Sequence, residues 1–498
     1  MPTTIDHGFR WWAMAHPDRL MISSAGTSVT YAELNAWVGR VARRFADLGM
    51  KPGDRVVICA ENSIEWCVAV LAAIRTGGMS AGVSTRLVKS ELDWLVGDYA
   101  PRILVHDDGA LDKVTPPPGG TLVHVGEIAA LRDAPATDVR LDLDESDVVV
   151  IVTTSGSTAR PKGVMYSNRA IIEHNAWQVL SDPLTGPYRR LLVAPMSTSA
   201  GIVPFLHCLM SGGTAYLESK FDAEVALRLI TEEKVNVVTG APIFFQRMAD
   251  LPQFAEADVR HLDIAHTGGA TVVRPLLDTW AAKGVILRQM FGQTESGGTG
   301  VINSREHAME RPEMCGGMMM FTDVAVVDAD GNALPPGEQG EIVLRGPGMM
   351  TGYWNNPEAT AKAMRNGWLH TGDIGVMDDL GLVRMVDRMK DIIISGGLNI
   401  SAAEVERVIY ELGVEEVAVI SAKDERFGEV PMAIVHGAAV PETDHIIAHC
   451  DTHLSRFKVP RYLIRSEEPL PRLASGKISK PALRTLYSGD GPLPPPVR

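Results

Sequence analysis

The stretch Thr153 to Gly163, TTSGSTARPKG, follows a run of buried-strand type, Val148 to Val152, and this junction constrains the chain more than any other feature. Small hydroxyl residues, glycines and a lysine behind such a strand make a flexible strand-to-helix turn. Its amides, hydroxyls and ammonium suit phosphate oxygens. The candidates are Thr154, Ser155, Gly156, Ser157, Thr158 and Lys162. A Walker loop is excluded, because Pro161 precedes Lys162 where that loop needs glycine. A Ser/Thr-rich surface turn is the plainer alternative, and the rest of the chain has to decide.

At 498 residues the chain exceeds one ordinary core, so two or more domains are expected. A net charge of -14 without Lys/Arg blocks argues against a nucleic-acid or anionic-membrane surface. The five scattered cysteines suit a reducing compartment. The polar start, MPTTIDHGFR, lacks an apolar signal core, and no apolar run reaches spanning length. A cytoplasmic enzyme is the expectation.

Helical and strand patterns alternate along the chain. Thr30 and Glu33 form a capping box that opens a helix ending near Gly49, and Arg55 to Ala60 reads as the next strand. A helix over 62–75, another over 90–99 and a strand over 102–106 follow, then a loop at 115–120, TPPPGG. Strand patterns at 191–194, 214–217, 236–239, 263–266 and 285–290 alternate with helical ones, which predicts parallel sheets covered by helices. From about Phe321 the texture turns to hairpins, a small β-rich subdomain, and beyond DRMKD lies a compact α/β pattern. The fold class expected is α/β: a large N-terminal domain over 1–389 and a small C-terminal domain over 390–498.

Further chemistry-bearing stretches stand along this frame. FGQTE (Phe291, Gly292, Gln293, Thr294, Glu295) follows a strand, where parallel sheets present ligand groups, although a helix N-cap pair reads equally well. Asp373, in WLHTGDIG, sits in a Gly-bounded turn where a carboxylate could accept both hydroxyls of a ribose; a solvated turn Asp is the commoner case. SGGLNISAAEVE offers a glycine loop feeding a helix, and PRLASGK places Lys477 on a Gly/Ser turn. His445, His449 and His453 fall on one helix face with Cys450 nearby, a spacing that could ligate zinc, but a polar helix face is the simpler reading and no metal is assigned there.

These motifs together resemble the adenylate-forming superfamily of acyl-CoA synthetases, luciferases and peptide-synthetase adenylation domains. Its signature loop reads T-S-G-[ST]-T-G-x-P-K-G, followed by [YF]-G-x-T-E, T-G-D, an Arg some fifteen residues later and P-R-x-x-x-G-K, in the order found here. The resemblance implies a mobile C-terminal domain pivoting at Lys390. It implies ATP or AMP, Mg²⁺ and coenzyme A as cofactors, with Thr294 on the α-phosphate, Glu295 on the metal and Gly268, Gly269 and Ala270 lining adenine and the acyl group. Asp373 and Arg388 would grip ribose, and Lys477 would bridge the attacking carboxylate and the α-phosphate. Gly396 and Gly397 would border the pantetheine tunnel, with Phe427, Phe457 and Arg461 receiving the CoA nucleotide.

Two departures stand out. Ala159 replaces the second glycine of the signature loop; where a left-handed backbone is needed, alanine costs roughly 1–2 kcal/mol. At Pro195 to Gly201, PMSTSAG, Ser197 and Thr198 stand where many acyl-CoA synthetases carry an aromatic residue and His, which enlarges the acyl pocket near Gly201. The implied activity is an AMP-forming acyl-CoA ligase acting on a bulky apolar carboxylic acid. The alternative is an acyltransferase that only moves preformed acyl-AMP onto CoA, which would need a partner adenylating enzyme; a carrier-loading adenylation domain ranks lower, and a homodimer is compatible with each.

Overall fold

The computed structural model describes residues 3–154, 161–184, 186–269, 272–472, 478–487 and 495–497. The chain divides into two compact units, Met1–Val324 with Leu344–His370, and Ala325–Val343 with Thr371–Arg498.

The first unit is built on two large sheets. One has eight strands in the order Val301–Ile302, Arg288–Phe291, Ile264–Gly268, Val237–Gly240, Arg189–Leu192, Thr214–Leu217, Leu20–Ser24 and Thr27–Thr30. All neighbours pair in parallel except at the two edges. Helices Ala223–Glu232, Pro242–Ala249 and Arg274–Ala282 supply the core on this sheet, around the fully buried Phe245 and Trp280. The second sheet has seven strands: Gly352–Tyr353, Lys162–Ser167, Val148–Thr154, Met79–Gly82, Arg55–Cys59, Ile103–His106 and Thr121–His124. Helix Ile64–Arg75 packs on strands of both sheets, and every residue in it except Glu65 is buried. A helix that is apolar nearly all round belongs in such an interior. Its cap is Ser63, whose hydroxyl accepts from the Trp66 amide.

The capping box forms as predicted: the Glu33 amide donates to Thr30 Oγ1, and the Thr30 amide to Glu33 Oε2. The alternating elements between 55 and 291 also form, with strand ends shifted by a few residues. The phosphate-loop stretch differs from expectation. It joins Val148–Thr154 to a second, antiparallel strand, Lys162–Ser167, and the helix Asn168–Ser181 begins only after that strand. The run Gly163-Val-Met-Tyr is drawn into the sheet because it pairs on both sides, with Val148–Thr154 and with Gly352–Tyr353.

The second unit holds the hairpin-textured strands and a five-stranded sheet. Trp368–Met377 pairs antiparallel with Val383–Arg388. Leu398–Ile400, Ile393–Ser395, Gly428–His436 and Glu416–Asp424 lie in that order, with Tyr462–Arg465 also on Gly428–His436. Helices Ala402–Tyr410 and Thr443–His453 cover one face through Val405, Ile409, Ile446 and Cys450; Lys480–Tyr487 covers the other through Leu483. The fold is α/β, with parallel-rich, helix-covered sheets, β-rich hairpins and a smaller α/β unit. Among the described residues, no helix is long and apolar enough to cross a membrane.

Candidate active site

In the first unit, strands Ile264–Gly268 and Arg288–Phe291 run in parallel and in register, Gly268 opposite Met290, so they end together. At that end Gly268 is kept side-chain-free by packing: a Cβ there would meet Met290 O at 2.6 Å. Gly269 follows with φ +81°, and Ala270 lies outside the described residues. Beyond Phe291 the chain turns sharply. Gly292 has no room for a Cβ, which would sit 2.6 Å from Gly298 O, and Gln293 caps the short helical turn Thr294–Ser296 through reciprocal bonds with Ser296.

That turn is held from three sides. The Tyr166 hydroxyl donates to the Thr294 carbonyl. Ser199 Oγ lies 3.3 Å from Thr294 Oγ1, and the Tyr353 hydroxyl donates to Glu295 Oε1 at 2.7 Å. Burial, and then the charge of Glu295, push both phenols well above their ordinary range, so they remain hydrogen-bond donors. Lys162 stands over the Tyr353 ring, its ammonium 4.9 Å from the centroid. The hairpin lysine and the FGQTE carboxylate thus share one aromatic neighbour. Thr154 Oγ1 donates to the Lys162 carbonyl, closing the described part of the hairpin. Ser155, Gly156, Ser157, Thr158 and Ala159 lie outside the described residues.

Sequence reasoning passed over Tyr166 and Tyr353. Their role comes from tertiary pairing, Tyr353 being 58 residues from Glu295. The aromatic in TGYW behind a strand-forming glycine was the only local signal. A buried imidazole pair packs behind the turn as well. His174 Nε2 is 3.0 Å from Thr299 O, and its Nδ1 3.2 Å from His207 Nε2. Burial lowers His174 to about 4 and His207 well below its usual range, so both are neutral at pH 7. A Cβ on Gly297 would meet the His174 ring at 2.9 Å, which fixes that glycine as the turn's exit.

The PMSTSAG loop runs into helix Ser199–Met210. Thr198 is its N-cap residue, its hydroxyl donating to Pro195 O at 2.7 Å. Gly201 lies against the same loop, since a Cβ would meet Pro195 O at 2.3 Å, and Ser197 packs on Gly82 at the end of Met79–Gly82. The loop therefore touches the strand beside the phosphate hairpin, and its helix touches Thr294.

In the second unit, Asp373 sits inside the strand Trp368–Met377, and not in a turn as the glycines around it suggested. The glycine at 372 (φ +70°) is absorbed into the strand because ladder pairing continues on both sides of it. Asp373 lies directly opposite Arg388, whose Nε is 3.2 Å from Asp373 Oδ1, so these two residues are brought together. Next to them, Asp387 Oδ2 accepts from Ser401 Oγ and the Ala403 amide, clamping the start of helix Ala402–Tyr410. Lys390 is exposed on the short turn Met389–Asp391, and Asp391 pairs with Arg484 at 2.7 Å.

Gly396 and Gly397 form the two-residue turn of the hairpin Ile393–Ser395/Leu398–Ile400, with φ +57° and +82°. They close a hairpin, and the helix follows only after its second strand; paired positive φ values are what such a turn requires. The Gly396 amide donates to Phe427 O at 2.8 Å, so those two residues meet. Phe427 and Phe457 are 37% and 40% exposed, unlike core phenylalanines. Arg461 Nε lies 3.3 Å from Asp424 Oδ2. Lys477 lies outside the described residues.

Two family descriptions match the chain, AMP-binding enzyme over residues 9–354 and AMP-binding enzyme C-terminal domain over 404–477. The chain belongs to the AMP-binding enzyme family. A feruloyl-CoA synthase of Amycolatopsis sp is 36% identical over 482 residues, 95% of this chain and 97% of that one. A long-chain-fatty-acid–CoA ligase, FadD13, of Mycobacterium tuberculosis is 35% identical over 482 residues, 94% of this chain and 95% of that one. Among solved structures, o-succinylbenzoate CoA synthetase from Bacillus subtilis in complex with its acyl-adenylate intermediate superposes with a TM-score of 0.88 at 26% identity, covering 99% of both chains. ATP-bound MatB from Rhodopseudomonas palustris gives 0.88 at 28%, covering 98% of this chain and 99% of that one.

Proposed function

We propose that this chain, an AMP-forming acyl-CoA ligase, joins a bulky apolar carboxylic acid to coenzyme A through an acyl-adenylate. A carboxylate is a poor electrophile with a poor leaving group; its attack on the α-phosphorus of ATP expels pyrophosphate and gives the mixed anhydride, from which the coenzyme A thiol then displaces AMP, and a bound Mg²⁺ would neutralise phosphate charge. The observation that carries the reading is the cluster at the strand ends, where Glu295, held by Tyr353, shares that ring with Lys162 while Thr294 is fixed by Tyr166.

That donor set fits the groups assigned to it. A carboxylate suits a hard cation, and an ammonium with hydroxyls suits phosphate oxygens. Glu295 would hold the metal, Thr294 the α-phosphate, and Lys162 with the hairpin residues Thr154, Ser155, Gly156, Ser157 and Thr158 the remaining phosphates. Gly268, Gly269, Ala270, Phe291, Gly292 and Gln293 would border the nucleotide and the acyl group, and Ser197, Thr198 and Gly201 the acyl pocket. Asp373, beside Arg388, is assigned the ribose hydroxyls, and Lys477 the developing negative charge at the α-phosphate. Gly396, Gly397, Phe427, Phe457 and Arg461 are assigned to coenzyme A. The domains are 1–389 and 390–498, pivoting at Lys390, and the enzyme works in the cytoplasm.

The test assays the two half-reactions separately, as pyrophosphate exchange with a panel of acids and as thioester formation from supplied acyl-AMP. Activity in both is expected. Thioester formation without exchange would overturn the reading and make a partner adenylating enzyme necessary; acetate as the best acid would overturn the substrate class.

A further inference from the structure

The second unit carries a cluster that the proposed reaction does not use. Helix Thr443–His453 presents His449 and His453 one turn apart, a stripe that sequence alone reads as a polar face. The structure adds Glu411, the residue ending helix Ala402–Tyr410, from the helix packed alongside. One donor atom from each of Glu411, His449 and His453 lies within 4.8 Å of the others. His449 Nε2 is 3.3 Å from Glu411 Oε2, about the edge of a tetrahedron built on zinc–nitrogen and zinc–oxygen bonds of roughly 2.0–2.2 Å.

The orientation of the rings also suits a metal. His453 Nδ1 bonds to the His449 carbonyl at 2.9 Å, which makes Nδ1 the protonated nitrogen and leaves Nε2 with its lone pair. The two imidazoles lie close, with centroids 4.1 Å apart and planes tilted by 37°. Arg407 lies 3.7 Å from Glu411 Oε1, so the oxygen facing the histidines is the other one. His445 is exposed one turn earlier and stands outside the cluster, and Cys450 points into the core with Ile409 and Ile446.

We infer that Glu411, His449 and His453 form a binding site for a divalent transition metal such as zinc, separate from the residues assigned to nucleotide and acid. Two imidazoles and one carboxylate favour borderline ions over Mg²⁺ or Ca²⁺, which take oxygen ligands. The fourth position belongs to water. A bound ion ties the end of one helix to the end of the other, so it stabilises the unit that holds both.

The test is calorimetric titration of the full-length, chelator-stripped chain with zinc chloride in buffer containing excess Mg²⁺, together with thermal melts. Glu411 and His453 are exposed, so Glu411→Gln and His453→Ala are expected to fold. Each should weaken zinc binding at least about tenfold (~1.4 kcal/mol) and abolish the zinc-dependent rise in Tm, while His445→Ala binds as the wild type does. Equal affinity in wild type, Glu411→Gln and His453→Ala overturns the site, as does the absence of saturable zinc binding. Loss of zinc in His445→Ala overturns the assignment of Glu411, because the helix stripe alone would then be the chelator.

Discussion

Glu295 has one carboxylate oxygen held by a phenol that burial keeps protonated. Deleting that hydroxyl leaves the ring, and with it the seat under Lys162, in place. A hydrogen bond to a charged group contributes about 1.5–3 kcal/mol, so Tyr353→Phe should slow pyrophosphate exchange by roughly 10- to 100-fold. Its Tm should stay near that of the wild type, and an unchanged exchange rate would show that the phenol does not orient the carboxylate. A second carboxyl, Glu218, sits just past strand Thr214–Leu217 with one oxygen accepting the Asp222 amide, and burial raises it to about 7. The fold thus prefers its neutral form. The folded chain binds more protons than the unfolded chain between the ordinary glutamate range and about pH 7, so this contribution to stability is present at low pH and lost as pH rises through 7. Urea midpoints should therefore fall more between pH 5 and pH 8 in the wild type than in Glu218→Gln, by about 1–2 kcal/mol in unfolding free energy.

At the scale of elements, a buried ion pair pins the end of helix Asn168–Ser181 to the eight-stranded sheet. Asp182 accepts from Arg288 at 2.5 Å and from His266 at 3.1 Å, and burial lowers His266 to about 4, so at pH 7 the cluster is one carboxylate and one guanidinium. Asp182→Ala leaves the Arg288 charge buried without its carboxylate and should destabilise the chain by about 3–5 kcal/mol, read from urea denaturation. A cost below about 1 kcal/mol would mean that water reaches Arg288. This pair joins residues 106 apart and has no local signature. What sequence could show was local: the capping box at Thr30 and Glu33, the parallel strands read at 263–266 and 285–290, which form as Ile264–Gly268 and Arg288–Phe291, and the motif order. Three local readings needed revision for one reason. Asp373 stands in a strand and not in a turn, and after Pro161 and after Gly397 the chain enters a paired strand, Lys162–Ser167 or Leu398–Ile400, before its helix, because a distant or returning strand supplies ladder partners that a short window cannot contain. The candidate site was legible where a motif marked it, as with Thr294 and Glu295. It was hidden where an aromatic from another strand, Tyr166 or Tyr353, completes it.

At the scale of the whole molecule, the two family matches leave 355–403 between them, and Lys390 falls inside that interval on an exposed turn. Adenylation and thioester formation make different demands on the groups that meet the acyl-adenylate, which is the physical reason to expect a pivot between two sets of residues. Proline fixes φ near about −65° and biases the residue before it away from the helical region, so Lys390→Pro narrows the conformations open to the turn Met389–Asp391. If the chain alternates about this residue, the substitution should spare one half-reaction, within about threefold, and slow the other by at least about tenfold. Lys390→Ala removes the charge without fixing the backbone and should leave both nearly intact. Pyrophosphate exchange and thioester formation from supplied acyl-AMP, measured on both variants, separate the cases. Equal rates in both assays for Lys390→Pro and the wild type would move the pivot elsewhere in 355–403, and equal loss in Lys390→Ala would assign Lys390 a chemical role in place of a mechanical one.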